Sequence, residues 1–190
     1  MKLIGSTTSP FVRRIRLLIQ DDSVEFENID IFSAQGAETL KQNNPAKKVP
    51  VLLDGDRAIY DSRVIYNYLS SKLGIEALDW HQQNLLTIID AASDSLVSVL
   101  LCKRSGFNTD EDKMFFNLQH QRLDTILPAL EEYVEQGDFD DWHYPSICLF
   151  TLLDWALFRD LVQWQHFPGL LRFYQHALKK PYVEETDPRV

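Results

Sequence analysis

Two short stretches of this chain carry residue types that could act together on one small molecule. Val49-Pro50 stands at the mouth of the apolar run Val51-Leu52-Leu53, and Asp61-Ser62 follows Ala58-Ile59-Tyr60 and opens a helix-like segment. A proline cannot donate to a sheet ladder, so it belongs at a strand's start or in a special turn. An X-Pro bond is also where a cis peptide is cheap, and a cis bond would turn the N–H and C=O of Val49 outward. Asp61-Ser62 reads as a helix N-terminus, where exposed N–H groups and a hydroxyl attract a carboxylate. The pair describes a site for a small peptide with a free carboxylate. The plainer reading of Asp61 or Ser62 alone is an N-cap.

A third candidate precedes them. Ser9 follows a Ser/Thr cluster, and Pro10 suits the first turn of a helix, where its missing N–H costs nothing. A hydroxyl there can donate to a thiolate, and the helix end favours the anion. A thiol of ordinary pKa ~8.5 would then ionise more readily. Ser6, Thr7 and Thr8 are competing hydroxyls, and Ser9 also reads as a plain N-cap.

The elements that must position these residues come from periodicity. Lys2 to Gly5 is a short strand. Val12, Ile15, Leu18 and Ile19 repeat at helical spacing, and Val24 to Asp30 is strand-like. Ala37 to Gln42 is a weak helix closed before Pro45. Val51-Leu52-Leu53, a turn at Asp54-Gly55-Asp56, and Arg57 to Tyr60 form a hairpin. Val64, Ile65, Tyr68 and Leu69 form the core face of a closing helix. The order is β-α-β-α-β-β-α: a parallel βαβ unit, then an antiparallel hairpin.

From residue 81 the texture is helical. One stripe runs from Leu85 to Leu100. A second comprises Met114, Phe115, Leu118, Leu123, Ile126, Leu127, Leu130 and Tyr133. Ile147 to Leu161 is apolar nearly all round, as a buried central helix should be, and Phe167 to Leu178 is a shorter one. Trp155 and Trp164 read as core. The domains are expected at 1–75 and 81–190, with 74–80 as linker.

Composition excludes several classes. The chain has 190 residues and a net charge of −9, unevenly split: residues 1–75 carry ten basic and nine acidic side chains, and residues 76–190 nine and nineteen. An acidic chain without a basic stripe is a poor nucleic-acid binder. No unbroken apolar run reaches the ~20 residues of a membrane span, and no basic stretch followed by an apolar one marks a signal peptide. Cys102 and Cys148 read as buried thiols on helices, and a reducing, cytoplasmic compartment is expected. His81, His120, His143, His166 and His176 show no metal-ligand spacing.

Ser9-Pro10-Phe11-Val12-Arg13, Asn44-Pro45 with Lys48-Val49-Pro50-Val51-Leu52, and Tyr60-Asp61-Ser62 resemble the cytosolic glutathione S-transferase family, near its bacterial members. The resemblance covers the whole chain and implies a thioredoxin-like N-terminal domain followed by an all-helical C-terminal domain. It implies glutathione as co-substrate, no metal, a small electrophile as second substrate and a homodimer. Val49 would pair through its backbone with the cysteinyl part beside a cis Pro50. Asp61 and Ser62 would hold the γ-glutamyl end. Lys48 would approach the glycyl carboxylate, with Lys47 as its rival. Ser9 stands where relatives place a Ser or Cys beside the sulfur.

Serine at position 9 cannot form a mixed disulfide, and no Cys-x-x-Cys pair exists, so oxidoreductase work through an enzyme cysteine is disfavoured. No tyrosine precedes Tyr60, which disfavours the tyrosine-dependent version of the chemistry. Phe11 and Arg104 are candidates for the co-substrate pocket; the plain reading of Lys103 and Arg104 is a solvated charge pair. One departure from the family concerns the central helix of the second domain. Relatives there carry Ser/Thr, two residues, then Asp; here Ser146 is followed by Leu149, so the reciprocal capping bond is expected to be missing. The alternative to an enzyme is a binding or regulatory module on the same scaffold.

Overall fold

The computed structural model describes residues 1–20 and 24–189. They form two compact units, Met1–Ala77 with Lys180–Val190, and Leu78–Lys179.

The first unit contains β1 (Lys2–Gly5), α1 (Pro10–Ile19), β2 (Glu25–Asn28), α2 (Ala34–Asn43), β3 (Val51–Asp54), β4 (Arg57–Tyr60) and α3 (Ser62–Leu73). The four strands form one sheet in the order β2-β1-β3-β4. β1 runs parallel to β2 and antiparallel to β3, and β3 is antiparallel to β4. This is the thioredoxin-like arrangement of the expected β-α-β-α-β-β-α order.

Its core follows from which side chains are apolar at strand and helix period. Leu3, Ile4, Val51 and Leu52 from the sheet, Val12, Ile15 and Leu17 from α1, and Ile65, Tyr66 and Leu69 from α3 are all buried. Each such side chain contributes about 1.5–3 kcal/mol on leaving water. The exposed side of α3 differs from expectation. Val64 is 51% exposed, and Tyr66 takes the buried place assigned to it. The start at Ser62 is the expected one; the buried side of α3 is Ile65, Tyr66 and Leu69, which leaves Val64 at the edge of the apolar stripe facing out.

The C-terminal end also departs from the expected 81–190 domain. Residues 180–190 belong to the first unit, because the buried guanidinium of Arg13 donates to the Val183 carbonyl at 2.9 Å and to Thr186 Oγ1 at 3.2 Å.

The second unit contains α4 (Trp80–Arg104), α5 (Met114–Glu135), α6 (Tyr144–Phe158) and α7 (Pro168–Ala177). α6 is the central helix: every residue from Tyr144 to Ala156 is buried. Trp164 is fully buried, and its indole N–H donates to the Leu153 carbonyl at 3.0 Å. α4 is long and apolar enough to cross a membrane, with a mean hydropathy of 1.8 over its most apolar stretch. Asp90 and Asp94 interrupt that stretch in sequence. Its buried side, including Leu85, Leu86, Ile89, Leu96 and Val99, packs with α5 and α6 as a core helix does.

One expectation for this unit needs correction. Met114, Phe115 and Leu118 are 87%, 46% and 49% exposed, so they lie off the buried stripe of α5, which is Phe116, Leu123, Ile126, Leu127 and Leu130. α6 is capped from one turn earlier than Ser146. The His143 ring nitrogen Nδ1 accepts from the Ser146 amide at 3.2 Å, and Ser146 Oγ donates back to the Asp141 carbonyl at 2.6 Å.

Candidate functional site

The positions of the three motifs follow from strand register. Ile4 stands opposite Val51, and Val51 stands opposite Tyr60. This row across β1, β3 and β4 is the last one at that end of the sheet. Beyond it lie Gly5, the last residue of β1, with the loop to Ser9, Val49-Pro50 before β3, and Asp61-Ser62 after β4. Residues 9, 49 and 61–62, though well separated in sequence, therefore share one end of one sheet.

The Val49–Pro50 peptide is cis. Val49 is half-buried, and among the described residues no hydrogen bond reaches its N–H or C=O. A main-chain amide in that position is one an extended ligand could pair with, since buried polar groups seek partners.

The loop before it is built around Asn44, which is 1% exposed. Asn44 Nδ2 donates to the Lys48 carbonyl at 2.8 Å, its Oδ1 accepts from the Ala46 amide at 2.9 Å, and its own carbonyl accepts from the Lys47 amide at 2.9 Å. Lys47 adopts a left-handed φ of 52°, and both Lys47 and Lys48 project from the exposed rim of this loop. Asn44-Pro45 is a turn-forming dipeptide, which is the sequence signal for this loop.

Asp61 occupies a backbone conformation with φ 76° and ψ 130°, which few non-glycine residues adopt. Strain of this kind costs of order 1–3 kcal/mol and gathers at ligand sites. Asp61 is the N-cap of α3, and one oxygen does the capping: Oδ1 accepts from the Arg63 amide at 2.9 Å and the Val64 amide at 3.3 Å. Among the described residues no hydrogen bond is made to Oδ2. Capping and ligand binding are thus served by different atoms of one carboxylate. Ser62 is the first helical residue and is 4% exposed.

Ser9 is the N-cap of α1. Its Oγ accepts from the Val12 amide at 3.4 Å, and its carbonyl accepts from the Arg13 amide at 3.1 Å. Because Oγ acts as acceptor toward Val12, the hydroxyl proton remains to donate elsewhere. The capping role is present, and it leaves the other role chemically open. Thr7 is engaged differently: its amide donates to Asn28 Oδ1 at 3.1 Å. Ser6 Oγ and Thr8 Oγ1 share a hydrogen bond of 3.1 Å.

The two residues considered for a second substrate lie apart in sequence, one in each unit. Phe11 is half-buried in the first turn of α1, with the Arg14 guanidinium 4.7 Å above its ring. Arg104 is exposed in the last turn of α4. Among the described residues no group of three His, Cys, Asp or Glu side chains is placed to hold a metal ion. Cys102 on α4 and Cys148 on α6 are not disulfide-bonded; Cys148 is buried and Cys102 half-buried.

The sequence profile of the glutathione S-transferase N-terminal domain matches residues 3–75. Over 201 aligned residues the chain is 27% identical to YibF of Escherichia coli, described as an uncharacterized GST-like protein, covering 99% of this chain and 98% of that one. Glutathione S-transferase U17 of Arabidopsis thaliana is 39% identical over 70 residues, 36% of this chain and 31% of its own. Among solved structures, a glutathione S-transferase from Methylobacillus flagellatus with glutathione bound superposes with a TM-score of 0.85 at 21% identity, covering 98% of both chains. A glutathione transferase family member from Pseudomonas fluorescens, also with bound glutathione, gives a TM-score of 0.84 at 24% identity, covering 100% of this chain and 99% of that one. At these identities the two structures establish the fold.

Proposed function

We propose that the chain, whose residues 3–75 match the glutathione S-transferase N-terminal domain, is a member of that family, binds glutathione and uses the thiolate on a small electrophile. The observation that carries this reading is the Val49 amide, without a hydrogen-bond partner among the described residues, at the sheet end where Ser9 and Asp61-Ser62 also lie. Glutathione offers an extended backbone for such an amide, a carboxylate and an amine at one end, and a thiol in the middle.

In this reading Val49 pairs with the cysteinyl residue beside Pro50. The γ-glutamyl amine donates to Asp61 Oδ2, and its carboxylate takes the Ser62 region at the positive end of α3. Lys48 serves the glycyl carboxylate. Ser9 donates its hydroxyl to the sulfur, and the α1 N-terminus adds partial positive charge. Lowering the thiol's pKa supplies more nucleophile at neutral pH.

The chemical step is then simple. The thiolate sulfur forms a bond to an electrophilic carbon. In a displacement the leaving group departs with its electron pair; in an addition the neighbouring carbon takes up a proton. Ser9 is never a covalent partner. Phe11 is the proposed contact for the second substrate, and a homodimer in the cytoplasm completes the reading.

The test combines calorimetry with turnover. Saturable glutathione binding with conjugation of a generic aryl halide supports the enzyme. Binding without turnover over a broad electrophile panel points instead to a binding module. Absence of binding removes the proposal.

A further inference from the structure

We propose that the C-terminal segment, through Thr186 and Val183, is a positioning strap for the first turn of α1 and thereby sets the Ser9 hydroxyl against the glutathione sulfur. The proposal rests on the reading of Ser9 as donor to the thiolate.

Chain ends are usually poorly tied unless something holds them. Here Val183 and Thr186 are each 3% exposed, and both belong to the first unit. The segment is wound into successive turns: the Val183 amide donates to the Lys180 carbonyl, the Thr186 amide to Tyr182, and the Asp187 amide to Glu184.

What ties it down is α1. Arg13 is 4% exposed; its Nη2 donates to the Val183 carbonyl at 2.9 Å and its Nε to Thr186 Oγ1 at 3.2 Å. Thr186 can accept this bond because its own proton goes to the Tyr182 carbonyl at 2.7 Å. One turn along, Arg16 Nη2 donates to the Glu185 carbonyl at 3.3 Å. The fork of a guanidinium fixes direction as well as distance.

The next residue back seats the helix on the sheet. A Cβ on Gly5 would come within 2.5 Å of Val12 Cγ2, so only glycine lets α1 approach the end of β1 this closely. Val12 and Arg13 are the residues whose amides bond to Ser9, at its Oγ and its carbonyl. The Ser9 cap is therefore held by two residues, one pressed onto Gly5 and the other gripped by residues 183 and 186.

The proposed grip on the rest of glutathione comes from the loop 44–50 and the start of α3; the hydrogen bonds of Thr186 go to Arg13, Tyr182 and Val183. A loosened strap should then move Ser9 without removing the binding site. The effect belongs in turnover and in the thiol's acidity, with affinity spared.

The experiment uses the full chain and Thr186→Val, which keeps shape and loses the hydroxyl. The expected result is a glutathione Kd within ~2-fold of wild type and a kcat lowered by about 10-fold, with the bound thiol's pKa raised, as for a misplaced catalytic contact. Thr186→Ser should restore wild-type values. If Thr186→Val does not fold, Arg13→Lys, which keeps the charge and loses the fork, should show the same split. Ser9→Ala separates the two ideas. If Ser9→Ala leaves kcat and the thiol pKa unchanged, the reading of Ser9 fails and takes the strap with it. If Ser9→Ala is impaired and the strap variant matches wild type, only the strap fails. A double-mutant cycle gives the last check: a strap acting through Ser9 adds nothing further in the Ser9→Ala background, whereas fully additive losses overturn it.

Discussion

Asn44 and Lys48 are locked together: the buried Asn44 amide donates to the Lys48 carbonyl at 2.8 Å, one residue before Val49. The same side chain accepts from the Ala46 amide. Asn44→Ala removes both bonds and leaves partly buried backbone groups unmet, which costs about 1–3 kcal/mol. Urea unfolding should show that loss, and glutathione affinity should fall with it because Lys48-Val49 loses its brace. Asn44→Asp, which keeps the Oδ1 acceptor and loses the Nδ2 donor, should fall between the two.

The start of α7 is capped from another helix. Phe167 offers no capping side chain, and the carboxylate of Glu131 on α5 instead accepts from the Gly169 and Leu170 amides, each at 2.7 Å. A Cβ on Gly169 would lie 2.5 Å from Glu135 Oε1 and 2.8 Å from Glu131 Oε2. Gly169→Ala must push both carboxylates aside. Glu131→Gln leaves one of the two amides facing a donor. Each change should cost about 1–2 kcal/mol, read by thermal or urea unfolding, the usual scale for a lost cap.

His143 supplies the α6 cap that the sequence pattern lacks. His143→Ala should lower stability by about 1 kcal/mol, and His143→Ser or His143→Asp should recover most of it, since short oxygen-bearing side chains are preferred caps. Equal stability of the Ala and Ser variants would show that the Nδ1 contact contributes nothing.

The pH dependence centres on Asp54. Hydrogen bonds from Lys72 and then Tyr68, both on α3, hold its carboxyl below the usual carboxylate range. A depressed carboxylate contributes stability that is present above its unfolded pKa of ~3.9 and is lost as pH falls through its folded value. The partner shift has the opposite sense: Asp54 raises Lys72, so that contribution is present below the usual lysine value and fades in strong alkali. Between those limits Asp54→Asn should lower stability evenly. Below about pH 4 its unfolding curve should converge on that of the wild type; a gap that stays constant down to strong acid would contradict the assignment. The pair is solvent-exposed, so salt should shrink the effect.

Where the candidate residues fall in the fold was largely legible, because the motifs that carry them are local. Val49-Pro50 announces itself by a proline at a strand mouth, and Asp61-Ser62 by a break between strand and helix periods. The strand alternation of Val51 to Tyr60 then brings them to one end of the sheet. What stayed hidden depends on contacts made far along the chain. Nothing in residues 180–190 advertises that Arg13 will hold them. Periodicity marks Met114, Phe115 and Leu118 as apolar on a helix, but it cannot say which of two apolar stripes a neighbour covers. Val64 differs for a related reason, since periodicity marks an apolar stripe wider than the part its neighbours cover, and Val64 lies at the uncovered edge. The α6 cap was missed because imidazole is an uncommon acceptor at that position.

Titration of glutathione into the full chain by calorimetry, with Ser62→Ala run alongside, tests the shared sheet-end site most directly. A saturable heat with a micromolar-to-millimolar Kd, weakened at least several-fold by Ser62→Ala, is the expected result for a carboxylate held at the start of α3. A featureless titration, or an affinity indifferent to the loss of Ser62, would contradict it.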